Sequence, residues 1–365
     1  MYDLTDLTLI MCTYNRPEYA KRAINFWAKQ EINLIVLDGS TDSLANDFIS
    51  SLPPRVLYMH SQLDWLNRML LGANLSKTAF TSLISDDEYY LPESLSSCIE
   101  TLRENSELVS VIGNAIGFKV MQGKVYFKRQ YAEFNSSQVT AEVALERVTS
   151  HFNPYRMTSL FAVVRTPNFI KNVMVANVSS RLPGAATFEL GFELANSFQG
   201  KSRVIPVLHW LRSSENPPVD NSKRIKVSSW LDSQKHSALF LEVASQINQI
   251  LGINSAQSSL YENSILYSGL LSYAASEKLS ERNKKKKLFF INSFIRNNLK
   301  VFLKTLIGET NLMRLLELRY NKMYGSLLGG VWMPPNSIID VLQKESIRVP
   351  TDCFAKAIES IKTSY

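Results

Sequence analysis

The sequence predicts an α/β fold: a mostly parallel sheet flanked by helices, followed by an α-helical C-terminal domain. Three observations predict it. Short apolar runs at residues 7–12, 34–37, 55–59 and 80–84 have the length and punctuation of buried strands. Helical spacing separates them, as in Tyr19, Ala23, Phe26 and Trp27 after Pro17, and again over residues 63–75. Strand, helix, strand makes parallel pairs with right-handed crossovers. Beyond about residue 226 the strand signals stop, and Leu239, Val243, Ala244 and Ile247 recur at helical spacing. The chain therefore divides into residues 1–222 and a helical part, 223–365.

Composition narrows the classes. At 365 residues, 45% hydrophobic and 20% charged, the chain is an ordinary globular protein with enough mass for two domains. Cys12, Cys98 and Cys353 stand far apart without a CxxC, which excludes a disulfide framework or thiolate zinc site and fits a reducing cytoplasm. Residues 1–10 carry Asp3 and Asp6 and no basic n-region, so no cleaved secretory signal is expected. No run reaches the ~18 consecutive apolar residues of a membrane span.

Each of the first strands ends in a polar turn. Residues 7–12 run into Thr13, Tyr14, Asn15, Arg16 and Pro17; residues 34–37 run into Asp38, Gly39, Ser40, Thr41 and Asp42. The fourth run ends at Ser85 and releases Asp86, Asp87 and Glu88. On an extended segment Asp86 and Glu88 point one way and Asp87 the other. Hard carboxylate oxygens suit Mg²⁺ or Mn²⁺, which keep several waters and bind substrate phosphates. By itself the triplet also reads as an acidic turn capping the helix that Pro92 begins. Three such turns at the C-terminal ends of neighbouring strands form the rim where open α/β sheets bind ligands.

Further on, residues 108–111, 115–120 and 124–128 read as strands with a hairpin at Gln122 and Gly123, residues 138–152 as a helix, and 157–165 as a buried strand. The loop from His151 to Arg156 gathers aromatic and basic groups, suited to a sugar acceptor or to packing on the sheet. Residues 185–195 read as a helix, and 200–212 as a strand entering a closing loop.

The run from Leu7 to Pro17, then Ile35 to Asp42, then Ser85 to Glu88 resembles the N-terminal half of family 2-like glycosyltransferases with the GT-A fold, of the kind that build bacterial surface glycans. That resemblance implies a metal-dependent, inverting transfer of a sugar from a nucleoside-diphosphate donor, a UDP-sugar being favoured, to a glycan or lipid-linked acceptor. It places Thr13, Tyr14 and Asn15 along the nucleotide and Asp38 against the base's ring N–H. Arg16, Arg68 and Arg212 meet the diphosphate, and Asp86, Asp87 and Glu88 hold the metal, with His209 completing its shell. For Arg68 a surface salt bridge is an equal reading. Residues 185–195 are similar to the family's acidic helix beside the anomeric carbon, which carries the general base. Ala186 and Thr187 stand where its first acids fall, so Glu189 is the candidate base and Glu193 the second. Both acids also read as the polar side of a helix whose Phe188, Phe192 and Leu194 face the core.

Residues 284–322 carry ten basic side chains against Glu309 and Glu317, a local +8 in a chain of net +7. Interleaved apolar residues make the segment amphipathic, fit either to lie on an anionic membrane at the inner face of the plasma membrane or to pack on the catalytic part. No recognition motif accompanies it, so nucleic acid is not an expected partner. Two functions follow: a transferase, or a catalytically degenerate GT-A domain that binds a nucleotide sugar or glycan, or scaffolds an assembly.

Overall fold

The computed structural model describes residues 2–184, 186–215, 225–253, 264–298 and 331–362. The strands are β1 Leu4–Thr13, β2 Ile32–Asp38, β3 Val56–His60, β4 Phe80–Ser85, β5 Tyr89–Tyr90, β6 Leu108–Met121, β7 Lys124–Gln130, β8 Gln138–Val139, β9 Val163–Arg165 and β10 Lys201–Ser213. Around them lie α1 Pro17–Trp27, α2 Asn46–Ser50, α3 Trp65–Leu75, α4 Pro92–Glu104, α5 Ala144–Phe152, α6 Thr166–Ser179 and α7 Thr187–Gln199. Then follow α8 Val227–Gln234, α9 Ala238–Leu251, α10 Ile265–Asn298, α11 Pro335–Lys344 and α12 Thr351–Lys362.

One sheet runs β3-β2-β1-β4-β9-β6-β10-β5, with β7 beside β6 and β8 beside β10. The pairs β1–β2, β1–β4 and β2–β3 are parallel, as the alternating strand and helix signals require. Register sets Thr13 opposite Asp38 and Cys12 opposite Ser85, which brings the three polar turns to one rim. Alternation along the strands divides the core. Leu9, Met11, Leu34 and Val36 pack with Ile24, Trp27, Leu95 and Ile99 on one face. Ile10, Ile35 and Leu37 pack with Met69, Ala73, Phe169 and Val173 on the other.

A third cluster joins α5 and α7 to the following helices through Val148, Phe152, Leu190, Leu194, Trp230, Phe240, Val243 and Ile265. The helical part expected over 223–365 does not stay apart from the sheet. Met333 and Phe127 exchange backbone hydrogen bonds of 2.8 Å, and Ile338, Leu342, Phe354 and Ile361 belong to the first sheet cluster. Residues 331–362 thus complete the core of the sheet part.

Three expected elements differ. Residues 108–121 form one unbroken strand, because Gly113 serves packing rather than a break: a Cβ there would lie 2.5 Å from the Val207 carbonyl oxygen. Residues 138–139 form a strand edge, and the helix begins only at Ala144. Of residues 157–165 only Val163–Arg165 is strand, since the backbone N–H groups of Ser159 and Leu160 are bonded elsewhere. No described helix is long and apolar enough to cross a membrane. Within the basic segment 284–322, residues 299–322 and the side chains of 284–298 lie outside the described residues, and with them the expected membrane-facing surface.

Candidate active site

The β1 turn is built by short local bonds. Asn15 adopts φ 52°, its N–H donating to Ser40 Oγ at 2.7 Å while its Oδ1 accepts from Thr41 N at 3.0 Å. An asparagine tolerates this left-handed backbone better than most residues. The two turns are thereby tied, and Tyr14 is left 60% exposed with its ring available as a stacking face.

Two residues expected to touch the donor hold this rim together. Asp38 is buried, with Oδ1 accepting from Ser40 N at 2.8 Å and Oδ2 from the Tyr58 hydroxyl at 2.6 Å. Burial, reinforced by that hydrogen bond, pushes the Tyr58 hydroxyl up to about 12. Arg68 is buried as well. Its Nη1 donates to the carbonyls of Thr13 at 2.5 Å and Leu37 at 3.0 Å, so it ties the ends of β1 and β2 from beneath. Gly39 makes room for it, because a Cβ there would lie 2.3 Å from the guanidinium carbon. Arg68 is therefore not a surface salt bridge.

The acidic run turns back on itself, with Glu88 N donating to Ser85 O at 3.4 Å, so strand alternation does not govern it. Arg16 lies between Asp86 and Asp87, at 2.8 Å from Asp86 Oδ1 and 2.9 Å from Asp87 Oδ2. Asp86 Oδ2 accepts from Thr13 Oγ1 at 2.7 Å. Burial raises Asp86 to about 6 despite Arg16. Glu88 leaves this pair: Oε2 accepts from Trp210 Nε1 at 2.7 Å, and Oε1 lies 3.7 Å from Arg212 Nε. Its burial, with the Asp87 charge added, raises it to about 8.

For a divalent cation, the Asp86–Asp87 pair has suitable hard oxygens, and a guanidinium already sits where a positive charge fits between them. Among the described residues no three His, Cys, Asp or Glu side chains gather into a metal-holding group. The pair therefore suits a cation shared with substrate phosphates, not a protein cage. His209 does not join it. His209 sits at a register irregularity of β10 between Leu208 and Trp210; where Trp210 reaches Glu88, His209 is buried, with Nδ1 3.2 Å from Ser94 Oγ and its ring 4.6 Å from Tyr90. Burial drives its pKa down to about 3.

Beside the rim opens a cavity of about 510 Å³, bordered by Cys12, Ser85 and Arg212 on the sheet side. Its other walls are largely aromatic, with Trp65, Tyr131, Tyr155, Phe161 and Phe188, and carry Glu133, Glu189 and one cation, Arg156. Trp65 and Phe188 meet edge to face at 4.9 Å, and both pack against the core as well as bordering this cavity. Arg212, 40% exposed at its side chain, donates to the Tyr131 hydroxyl and lies over the Tyr131 ring at 5.5 Å.

Glu189, in the first turn of α7, accepts from the Tyr155 hydroxyl at 2.5 Å. That carboxylate is held at the cavity edge. Glu193, one turn on, is wholly buried and cannot meet an acceptor. It accepts from the backbone N–H groups of Ser159 and Leu160, both at 2.9 Å, and lies 2.7 Å from His151 Nε2. Its role is to hold the cavity loop, which is why residues 157–162 leave the sheet. Trp65, Tyr131 and Phe161 carry no sequence signal of a site; the aromatic loop at 151–156, the helix of Glu189 and Arg212 pointed to this side.

Residues 8–161 match the family described as Glycosyl transferase family 2. Comparison with curated proteins gives no match. Among solved structures, S. aureus TarS 1-349 is similar at 13% identity, covering 76% of this chain and 91% of that one, with a TM-score of 0.42. The same S. aureus protein in complex with UDP-GlcNAc is similar at 12% identity over 76% and 92%, with a TM-score of 0.44.

Proposed function

We propose, from the premise that residues 8–161 belong to glycosyl transferase family 2, that this glycosyltransferase moves a sugar from a nucleoside-diphosphate donor, a UDP-sugar, onto a hydroxyl of a glycan or lipid-linked acceptor in surface polysaccharide synthesis. One observation carries the reading: the strand ends Cys12 and Ser85, from which the turns of Tyr14, Arg16 and Asp86 emerge, border an aromatic cavity that holds Glu189 at its edge. Tyr14 stacks on the base. Arg16 and Arg212 offer planar forks of donors to the diphosphate, and both side chains are exposed enough to turn toward it.

Inversion follows from direct displacement. Glu189 accepts the proton of the acceptor hydroxyl, whose oxygen bonds to the anomeric carbon from the face opposite the diphosphate. The bond between that carbon and the leaving phosphate oxygen breaks, and the nucleoside diphosphate departs with the electron pair. Tyr155 holds Glu189 in place. A Mg²⁺ or Mn²⁺ on Asp86 and Asp87 would neutralise charge on the leaving group. Arg16 then exchanges its carboxylate partners for phosphate oxygens.

A thermal-shift panel of UDP, GDP, CDP and dTDP with and without Mn²⁺, joined to donor hydrolysis, tests the reading. A shift largest with UDP plus Mn²⁺, and hydrolysis lost in Asp86→Ala/Asp87→Ala, is expected. A shift without turnover by any donor would instead favour the degenerate binding domain, and no shift at all would refute both.

A further inference from the structure

A second cavity of about 500 Å³ opens where the α6–α7 turn meets α8 and α10. It shares one wall with the first. Tyr155 borders both cavities, its hydroxyl on Glu189 and its ring edge to face with Tyr273 at 5.0 Å. The two tyrosines are joined in the lining by Thr187, Ser276 and Ser280 and by two carboxylates, Glu277 and Glu281.

Charge in this cavity is balanced against anions. Lys226, its only basic lining residue among those described, pairs with Glu281, and Glu277 Oε2 accepts from Ser228 N at 3.0 Å. A phosphate or uronate would meet two carboxylates and a cation already engaged. A neutral polyhydroxylated chain meets what it needs: tyrosine side chains in the wall for its C–H surfaces, and hydroxyl and carboxylate acceptors for its O–H groups. The volume lies within the range of small-molecule sites.

We propose that this cavity is an acceptor subsite. It takes neutral sugar units of the acceptor glycan and leads the terminal hydroxyl past Tyr155 to Glu189, making α8 and α10 an acceptor-binding element. The inference rests on the glycosyl-transfer reading above.

The full-length chain is titrated calorimetrically with chitotriose, cellotriose and maltotriose, in wild type, Tyr273→Ala and Ser280→Trp. Ser280 is exposed at the cavity wall, so the tryptophan blocks the space without loosening the core, and the melting temperature verifies folding. At least one trisaccharide binds wild type with a dissociation constant on the order of 1 mM, weakened at least ~10-fold in both variants. No binding of any trisaccharide at about 10 mM, or binding undiminished in folded Ser280→Trp, overturns the proposal. The UDP thermal shift is read on the same wild-type sample. Its presence with no trisaccharide binding sinks the subsite alone, whereas its absence removes the donor reading and the acceptor role with it.

Discussion

The two sides of the candidate site differ in how their polar groups are spent. On the donor side, Thr13, Arg16, Asp38, Arg68, Asp86 and Glu88 are bonded to one another or to strand ends, most of them buried. Across the rim, Trp65, Tyr155 and Phe188 border open space, with Glu189 at its edge on the Tyr155 hydroxyl. The first arrangement stores charge in internal pairs that a ligand must exchange, and the second presents a preformed surface. A donor therefore binds by replacing bonds, and an acceptor by filling a cavity.

The sharpest test of that division is Glu189→Gln. Transfer falls by about 10²–10⁴-fold, the usual worth of a general base, while the UDP thermal shift stays within error. If nucleotide binding falls equally, the two sides are not separate. Arg16→Ala works the other way: it raises the donor KM by about 10–100-fold, as loss of a charge-assisted hydrogen bond does, and leaves the acceptor KM unchanged. Steady-state kinetics with each substrate varied separates the effects.

Glu193→Ala strikes the loop beneath the cavity. Two backbone N–H groups lose their buried acceptor, costing about 2 kcal/mol in denaturant unfolding, and acceptor KM rises with little change for the donor. Equal effects on both substrates would mean that the loop serves the whole fold.

The smallest effect concerns Glu88. Its folded-state pKa of about 8 lies above the ordinary 4.5, so the folded protein binds a proton that the unfolded chain has released between those values. Wild type therefore loses stability as pH rises through that window, and Glu88→Gln does not. The variant's melting temperature relative to wild type climbs by about 2 °C or more from pH 4.5 to 8 and is flat beyond. A difference independent of pH would show that Glu88 is ionised in the folded protein.

The same division explains what the sequence discloses. Strand ends and polar turns on the donor side are written within a few residues, so β1, β2, β4 and their rim were legible. The pairing of the acids was not: alternation sets Asp86 beside Glu88, whereas a turn brings Asp86 and Asp87 to Arg16 and sends Glu88 to Trp210. Nor were the tasks of single residues. Arg68 and Asp38 are taken up by carbonyls and a hydroxyl from other strands, contacts that no local spacing encodes. His209 was misplaced because Trp210 holds the side facing the acids while His209, at a register irregularity of β10, packs on Ser94 and Tyr90. The acceptor side joins Trp65 to Phe188 across more than a hundred residues, and Glu193 captures backbone groups 33 and 34 positions earlier, turning an apolar run from strand into loop. Likewise the return of residues 331–362 to the sheet depends on Phe127 meeting Met333 and Phe354.

A crystal structure with UDP and Mn²⁺ tests the central claim most directly. The account predicts the uracil on Tyr14, the diphosphate within hydrogen-bond distance of Arg16, and Arg16 released from Asp86 and Asp87. A nucleotide seated away from the β1, β2 and β4 rim, with the Arg16–Asp86 pair still closed, would contradict it.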